Sequence, residues 1–433
     1  PDSRLAYALL AAAWHQHPTR ELVLIGITGT DGKTTTANLL HAILHHAGHR
    51  VGLISTVNAL IGAESVDTGL HVTTPDPLDL QGYMRKMVDR GLTHCVLEAT
   101  SHEFAQHRVA GCEFDVGVVT NITHEHLDFH GTYDAYREAK GRLFSGLGRG
   151  GRKPAGPDPA AILNRDDASF EYLSQITSVR QISYGTAPGA DVRAEQMVVG
   201  AEGVSFVARW AGKEQPLQSG LVGAYNVANI LASFSAAVEA LGVAPQAAAQ
   251  AVAEFSGVPG RMERIELGQP FRVIVDFAHT PNALREALRA ARIMTKGQLI
   301  AAFGSAGLRD RAKRRMMAEI SIELADRTLL TAEDPRTEPL EAILEEMAAG
   351  AAARGGVEGE SFWRVPDRGQ AIRLALQIAQ PGDVVIVCGK GHEQSMCFGE
   401  LEHPWDDRVA VRAALAEHQG VEGPAMPSLP TSV

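Results

Sequence analysis

The feature that most constrains this chain is an apolar run that leads directly into a glycine-rich loop and then a helical pattern. Residues 22–27, Leu-Val-Leu-Ile-Gly-Ile, predict a buried strand, and residues 34–46 have helical spacing. The loop between them reads Thr28-Gly29-Thr30-Asp31-Gly32-Lys33-Thr34-Thr35. Glycines let backbone N–H groups approach phosphate oxygens, and the lysine neutralises the outer phosphates. Because Ile27 stands where a full Walker A loop has glycine, we interpret the loop as a shorter variant that binds ATP through these residues.

Further apolar runs alternate with helical segments, which favours a mostly parallel sheet covered on both faces. The predicted strands are 51–54, 94–97 and 116–119, and a helix is predicted at 79–90. The fold class is therefore α/β, with a doubly wound, P-loop ATPase-like central domain. We place this domain at residues 21–256.

A second alternation of strands and helices follows the hinge-like stretch Gly257-Val258-Pro259-Gly260. Its predicted strands are 271–275, 299–303, 327–330 and 384–387. This pattern predicts a smaller, Rossmann-like C-terminal domain at residues 257–419. Residues 420–433 are rich in Gly, Pro and Ser and are predicted to form a disordered tail.

Charge and composition exclude several classes of protein. The net charge of −11 is spread along the chain without a clustered basic face, which argues against nucleic acid as a partner. The four cysteines form no Cys-x-x-Cys pair, as expected for free thiols in a reducing compartment. No apolar stretch reaches the ~18 residues of a membrane span. We expect a cytoplasmic monomer with small-molecule substrates and no membrane insertion.

Two side chains after predicted strands are candidate Mg²⁺ ligands. Glu98 follows the strand at 94–97, and His126 follows the strand at 116–119. Because the carboxyl ends of parallel strands meet at the ligand crevice, both could reach the phosphate loop, where the hydroxyl of Thr34 or Thr35 would bind the metal. Taken alone, each residue is more often a structural surface group, but together with the phosphate loop they form a candidate site.

Ten motifs together resemble the Mur ligases, most closely their tripeptide-synthetase branch. They are the phosphate loop, Thr73-Thr74-Pro75, Ser101-His102 with Gln106 and Arg108, His126-Leu127-Asp128-Phe129-His130-Gly131, Lys140-Gly141-Arg142-Leu143-Phe144, Asn226-Val227-Ala228-Asn229, Gly260-Arg261-Met262-Glu263, Asp276-Phe277-Ala278-His279-Thr280-Pro281, Asp334-Pro335-Arg336 and Gly389-Lys390-Gly391-His392-Glu393. The match runs from about residue 20 to 415.

The resemblance implies a set of site residues. Lys33, Lys140, Arg261 and His279 would act in catalysis, with Lys140 carbamylated (N6-carboxylysine) and helping to hold Mg²⁺. Asn226, Asn229, Arg261 and Asp276 would bind ATP. The acceptor would contact Thr73, Thr74, Ser101, Gln106 and Arg108. The incoming amino acid would contact Arg309, Asp334, Pro335, Arg336, Gly389 and Glu393.

The activity implied is ATP-dependent ligation of a diamino acid to UDP-N-acetylmuramoyl-L-alanyl-D-glutamate, through an acyl phosphate, in peptidoglycan precursor synthesis. Arg336 favours meso-diaminopimelate, with lysine and ornithine as alternatives, because a guanidinium pairs bidentately with a distal carboxylate. Glu333-Asp334 stands where the family usually has Asp-Asn. Two other functions stay open: a ligase for an acceptor without UDP, such as a lipid-linked, poly-amino-acid or folate-type molecule, and a non-catalytic nucleotide-binding remnant.

The start of the chain departs from the family pattern. The family carries a longer region before the phosphate loop, which forms a domain that grips the UDP group. Here 28 residues precede Gly29. We expect residues 1–20 to be the remnant of that domain and its linker.

Overall fold

A computed structural model describes residues 2–66, 75–123, 127–150, 153 and 156–431. The chain divides into two compact units. The first unit comprises Pro1–Val199, Gly203–Gly220 and Ala224–Ser256. The second unit comprises Gly200–Glu202, Leu221–Gly223 and Gly257–Val433. The main boundary falls at Gly257, whose φ of +102° suits glycine at a chain reversal.

The described part of the first unit is built from alternating helices and strands. The helices are α1 (Ser3–Trp14), α2 (Lys33–His46), α3 (Pro77–Asp89), α4 (Ser101–Ala105), α5 (Leu127–His130), α6 (Tyr133–Gly146), α7 (Phe170–Ile176), α8 (Tyr225–Ser235) and α9 (Pro245–Glu254), with a 3₁₀ turn at Pro18–Arg20 and a π-helical turn at Ala236–Ala240. The strands are β1 (Val23–Thr28), β2 (Val51–Ile54), β3 (Ala59–Ile61), β4 (Glu64–Val66), β5 (His94–Glu98), β6 (Val116–Val119), β7 (Ala160–Asn164), β8 (Arg180–Gly185), β9 (Val192–Gly200), β10 (Gly203–Trp210) and β11 (Lys213–Ser219).

These strands form one sheet in the order β11-β10-β9-β8-β7-β6-β1-β5-β2-β3-β4. β1 lies in its middle and pairs in parallel with β5 on one side and β6 on the other. All six residues of β1 are buried, as an apolar run covered on both faces requires. The neighbouring strands therefore end beside the loop that follows β1. This arrangement places the phosphate loop between the carboxyl ends of β5 and β6.

Close packing beside β1 depends on Gly26. A Cβ at this position would lie 2.7 Å from Phe114 Cε1 and 2.9 Å from Leu143 Cδ1. Any larger residue would therefore push α6, which carries Leu143, away from the sheet. The glycine inside the predicted strand thus brings α6 close to the phosphate loop.

The described part of the second unit repeats the alternation on a smaller scale. Its helices are α10 (Pro281–Met294), α11 (Ala312–Leu324), α12 (Leu340–Ala353), α13 (Arg368–Ile378) and α14 (Asp407–Gln419). Its strands are β12 (Glu263–Arg264), β13 (Arg272–Asp276), β14 (Leu299–Phe303), β15 (Arg327–Leu330), β16 (Phe362–Arg364), β17 (Val384–Cys388), β18 (Ser395–Phe398) and β19 (Leu401–Pro404). The main sheet runs β12-β13-β17-β14-β15-β16, and β18 and β19 form a separate antiparallel hairpin.

Successive side chains of this sheet enter two different cores. Ile274 and Ile386 pack in the core that contains α10, α11 and α12, whereas Val275 and Val387 pack in the core that contains α13 and α14. Strands that bury both faces have no polar side and read as continuous apolar runs, as they do here. The α/β fold predicted from sequence is confirmed for both units. Among the described residues, no helix is long and apolar enough to cross a bilayer.

The prediction of a disordered tail is wrong for residues 420–431. Gly420 caps the end of α14 with a φ of +66°, a left-handed conformation that stops the helix. The segment that follows has no helix or strand, but it lies against the second unit. Leu429 is only 4% exposed and joins the core beneath α13 and α14, and the Thr431 hydroxyl donates to Asp367 Oδ2 at 3.0 Å. Two well-placed apolar side chains, Met426 and Leu429, outweigh the Gly/Pro-rich composition.

We predict that Leu429→Ala will lower the free energy of unfolding by about 2–3 kcal/mol, because it empties a buried site at the surface end of the core. Val421→Ala is the matched control, since Val421 is 52% exposed and its loss should change stability by less than about 0.5 kcal/mol. Urea unfolding followed by circular dichroism measures both. Equal effects of the two substitutions would show that the tail does not pack in solution.

Candidate active site

The phosphate loop is hydrogen-bonded to the segment that follows β6. Thr30 N donates to Asn121 O at 2.7 Å, and Asp31 N donates to Asn121 Oδ1 at 3.1 Å. The Thr120 hydroxyl donates to Asp31 O at 2.6 Å. Gly29 has a φ of +152°, and a Cβ there would collide with Thr120 Oγ1. Glycine is therefore required at position 29 by the close approach of two loops, independently of any phosphate.

The lysine of the loop begins α2. Lys33 Nζ donates to Thr30 O at 2.8 Å, so the side chain folds back over its own loop. Gly32, just before it, has a φ of +81°, and a Cβ there would collide with Asn229 Oδ1. The N-terminus of α2 thus presents backbone N–H groups and an ammonium to the same space, which is the arrangement that binds phosphate.

Glu98 and Thr34 form the oxygen-rich side of the loop. The Thr34 hydroxyl donates to Glu98 Oε1 at 3.0 Å, and Thr56 N donates to Glu98 Oε2 at 3.0 Å. Glu98 is 1% exposed at the carboxyl end of β5, directly opposite Ile27 of β1. Carboxylate and hydroxyl oxygens are the ligands Mg²⁺ prefers, so this pair fits the ion. Thr34, rather than Thr35, is the threonine whose hydroxyl reaches Glu98, and His126 lies outside the described residues.

Lys140 of α6 reaches the phosphate loop from the other side. Its Nζ donates to Gly29 O at 2.5 Å, and the ammonium lies 4.7 Å from the centre of the Tyr136 ring. Lys140 is 1% exposed. The hydroxyl of Tyr136, one turn earlier, lies 2.9 Å from Thr30 Oγ1. From sequence alone Lys140 would pass for a helix-surface lysine, whereas the structure buries it against the loop.

The two asparagines of α8 lie beside the start of α2. Asn229 Nδ2 donates to Asn226 Oδ1 at 2.9 Å, and the Thr36 hydroxyl donates to Asn229 Oδ1 at 3.4 Å. Both amides are buried. The structure therefore brings the predicted nucleotide residues of the first unit, from Gly29 to Asn229, into one neighbourhood.

The predicted acceptor residues are only partly described. Ser101 begins α4, and its hydroxyl lies 3.0 Å from His130 Nε2, while Gln106 and Arg108 lie in the turn that follows α4. Glu103, on the same helix, is buried, and this burial raises the pKa of its carboxyl. Thr73 and Thr74 lie outside the described residues.

Arg261, Asp276 and His279 lie together in the second unit. Asp276 Oδ2 accepts from Met262 N at 2.7 Å, which holds the segment containing Arg261 at the end of β13. The Arg261 guanidinium and the His279 ring both contact Phe277, at 4.4 and 4.5 Å between centres. Burial, with a smaller effect from Lys313, lowers the pKa of His279 to about 4, so its imidazole is neutral at pH 7.

The predicted amino-acid residues converge at the carboxyl edge of the second sheet. Lys390 Nζ donates to Asp334 Oδ1 and Oδ2 at 3.0 and 2.9 Å, and it pairs with Glu393 Oε2 at 2.6 Å. Burial opposes the charged form of Lys390, but Glu393 and Asp334 together hold its pKa above the usual value. Cys397 N also donates to Asp334 Oδ1, at 2.9 Å. Asp334 is thereby bound to protein groups through both of its oxygens.

The loop 305–309, which carries Arg309, packs on the same segment. Gly307 N donates to Asp334 O at 2.9 Å, and a Cβ at Gly307 would collide with Pro335 O. Arg309 itself is exposed. Arg336 has a φ of +54°, and its backbone is fixed to the β18–β19 hairpin through Cys397 O at 3.1 Å. Its Nε–H is buried and donates to none of the residues that the structure describes.

Glu333 is a further carboxyl at this edge. It is 5% exposed, and its Oε2 accepts no hydrogen bond from the described residues. Burial raises its pKa to about 7, although Lys313 opposes the shift. A Cβ at Gly389 would collide with Glu333 Oε2, so the carboxyl lies directly against that glycine. The Glu333 side chain thus fills the space that Gly389 leaves open.

Sequence reasoning missed several residues that build the two sites. Lys390 lies inside the motif at residues 389–393, where Glu393, three residues later, is a local sequence signal for its ion pair. Asn121 and Tyr136 fasten the phosphate loop, and neither has a local sequence signal. Glu333 makes a long-range contact with Gly389 that only the fold reveals.

Two family models match the chain. The Mur ligase middle domain matches residues 27–237, and the Mur ligase, glutamate ligase domain matches residues 260–391. Together they cover the phosphate loop, Lys140, Arg261 and Asp334.

Curated relatives match nearly the whole chain. The chain is similar to the UDP-N-acetylmuramyl-tripeptide synthetase of Roseiflexus sp. (strain RS-1), with 43% identity over 96% of this chain and 83% of the relative. It is 42% identical to the UDP-N-acetylmuramoyl-L-alanyl-D-glutamate–2,6-diaminopimelate ligase of Geobacillus thermodenitrificans (strain NG80-2), over 97% of this chain and 84% of the relative.

Solved structures agree. A UDP-N-acetylmuramoyl-L-alanyl-D-glutamate–2,6-diaminopimelate ligase matches with a TM-score of 0.66 and 31% identity, over 97% of this chain and 84% of its own. Folylpolyglutamate synthase of Mycobacterium tuberculosis matches with a TM-score of 0.69 but 15% identity, over 97% and 96% of the chains, and shows only the shared fold. The chain therefore belongs to the Mur ligase family, whose members are ATP-dependent ligases that form amide bonds.

Proposed function

We propose that this chain joins a diamino acid, with meso-diaminopimelate favoured, to UDP-N-acetylmuramoyl-L-alanyl-D-glutamate. Relatives at about 40% identity are named for this reaction. The observation that carries the proposal is the contact between Lys140 Nζ and Gly29 O, because it gives a buried basic group from α6 direct access to the phosphate loop.

The proposed reaction has two steps. The carboxylate of the acceptor attacks the γ-phosphorus of ATP, ADP leaves, and an acyl phosphate forms. The amino group of the incoming amino acid then attacks the carbonyl carbon, the C–O bond to phosphate breaks, and the products are an amide and phosphate. Lys33 and the backbone N–H groups at the start of α2 stabilise the charge that develops on the transferred phosphoryl group.

Mg²⁺ is the proposed cofactor, held by Thr34 Oγ1 and Glu98 Oε1, with His126 as a further proposed ligand. The buried pair of oxygens supports this assignment. When bound, the ion would neutralise charge on the phosphates of ATP. We further propose that Lys140 is carbamylated, since a carbamate at Nζ would turn a buried cation at the phosphate loop into an anion that would help to hold Mg²⁺.

The amino-acid site proposed for the second unit centres on Arg336. Its buried Nε–H has no acceptor among the described residues, which suits a guanidinium that receives a carboxylate from a ligand. Asp334 is already occupied by Lys390 and Cys397 N, so we assign it to holding the loop. The selective contact with the distal carboxylate of diaminopimelate then falls to Arg336.

A product assay tests the proposed function. Purified protein is incubated with ATP, UDP-N-acetylmuramoyl-L-alanyl-D-glutamate and either meso-diaminopimelate, lysine or ornithine, and the products are identified by mass. We expect one tripeptide product and stoichiometric phosphate. Turnover only with an acceptor that lacks UDP would support the alternative ligase, and nucleotide binding without any turnover would support the non-catalytic alternative.

We predict that Lys140→Ala will reduce ligation by about 100-fold or more, because it removes a buried charge beside the phosphate loop. The fold should persist, as judged by circular dichroism and thermal melting. Lys213→Ala, an exposed lysine on β11, is the matched control and should retain full activity. Activity of Lys140→Ala near that of the parent would remove Lys140 from the mechanism.

We predict that Glu98→Gln will raise the Mg²⁺ concentration needed for half-maximal activity by about 10-fold or more, because an amide binds the ion less strongly than a carboxylate. The measurement is a Mg²⁺ titration of phosphate release at saturating substrates. Glu171→Gln, at an exposed position on α7, is the control. Identical titration curves for parent and Glu98→Gln would exclude Glu98 as a ligand.

We predict that Arg336→Ala will lower kcat/KM for meso-diaminopimelate by about 10- to 100-fold, the loss expected for charge-assisted hydrogen bonds. The value for lysine should fall much less, because lysine lacks the distal carboxylate. Arg354→Ala, at the exposed end of α12, serves as control. An unchanged ratio of the two kcat/KM values would refute the assignment.

A further inference from the structure

Arg368 is the fully buried arginine that begins α13. Its Nε and Nη2 donate to Asp407 Oδ1 and Oδ2 at 2.7 and 2.6 Å. The other two bonds go to backbone carbonyls: Nη1 donates to Ala332 O at 3.0 Å, and Nη2 donates to Cys388 O at 2.8 Å. One guanidinium thus joins two strand ends to a carboxylate.

The two carbonyls stand immediately before the two halves of the proposed amino-acid site. Ala332 precedes Glu333 and Asp334, and Cys388 precedes Gly389 and Lys390. Ala332 lies just after β15, and Cys388 is the last residue of β17. In the sheet, β14 lies between these two strands. Strands two places apart lie about 9.6 Å from each other, a gap that no direct backbone bond can close. The planar fork of an arginine spans it and fixes the separation of the two loops.

The orientation of the guanidinium is itself imposed. Asp407 is fully buried in the first turn of α14, and its Oδ1 also accepts from Trp405 Nε1 at 2.9 Å. The ion pair is therefore held on its far side by a large buried side chain. Removing either charge would leave the other uncompensated in the core.

Joining α13 to α14 does not by itself account for Arg368. Arg373, on the same helix, pairs with Glu417 of α14 at 2.6 and 2.9 Å, at the surface. That pair already ties the two helices and touches no strand end in the bonds the structure shows. Arg368 differs from Arg373 because it also donates to the two strand ends that lead into the loops.

We infer that Arg368, oriented by Asp407, is a positioning residue that sets the spacing of the two loops that recognise the incoming amino acid. The inference rests on the proposed function for the identity of that ligand. The positioning itself is a property of the second unit.

The test compares Arg368→Lys and Asp407→Asn with Arg373→Lys, which weakens the control pair between the same helices. For the first two variants, KM for the amino acid should rise about 10-fold or more, with KM for ATP within two-fold of the parent. Hydrogen–deuterium exchange should quicken at the amides of Asp334, Arg336 and residues 389–393, but not at the phosphate loop. Arg373→Lys should change neither quantity.

Two results would overturn the inference. The first is an unchanged KM for the amino acid in both variants, with exchange like that of the parent. The second is an equal rise in exchange throughout the second unit for all three variants, which would indicate general destabilisation. If Arg368→Lys does not fold, Asp407→Asn decides on the same criteria. If the parent ligates none of the amino acids tested, the proposed function fails, and the exchange pattern still decides whether Arg368 positions the loops.

Discussion

The structure of the first unit depends on how closely other backbone approaches the phosphate loop at Gly29. The segment after β6 collides with anything larger than glycine there, and Lys140 of α6 bonds the carbonyl of the same residue. Gly26 lets α6 lie near enough for this contact. Because the loop is bonded from two sides, its backbone N–H groups already point to one place. Phosphate binding therefore does not have to order the loop.

In the second unit, the positions of the loops are fixed by buried charged side chains rather than by glycines. Parallel strands end at one edge with their carbonyls exposed, and the loops that follow must be held apart at a defined distance. Lys390, in the 389–393 loop, donates to Asp334 of the 334–336 loop. Arg368 donates to the backbone carbonyls of the two strand ends that precede these loops. Both cations are fully buried and ion-paired with carboxylates, which suits residues that define geometry rather than bind solvent.

Sequence reasoning predicted most of the scaffold because its signals are local. The apolar runs at β1, β5 and β17 and the glycine loop before α2 are contiguous, so periodicity and turn chemistry suffice. Site residues were harder to predict. The role proposed for Lys140 comes from the family resemblance, and the role proposed for Arg368 comes from the fold. Arg314 shows the limit: it lies in a basic run, a composition typical of a solvated helix start, yet it is buried between Glu338 and Glu346. The prediction of a disordered tail failed because the Gly/Pro-rich composition gave no indication that Leu429 packs in the core.

We propose that a carboxylate is activated by phosphoryl transfer at the loop beside Lys140. Oxygen-18 tracing tests it most directly, with the label in the glutamate carboxylate of UDP-N-acetylmuramoyl-L-alanyl-D-glutamate and meso-diaminopimelate as the amine. An acyl phosphate passes one carboxylate oxygen to the phosphate that is released, so the account predicts one ¹⁸O in each phosphate recovered with the tripeptide. Tripeptide formed with unlabelled phosphate would contradict it.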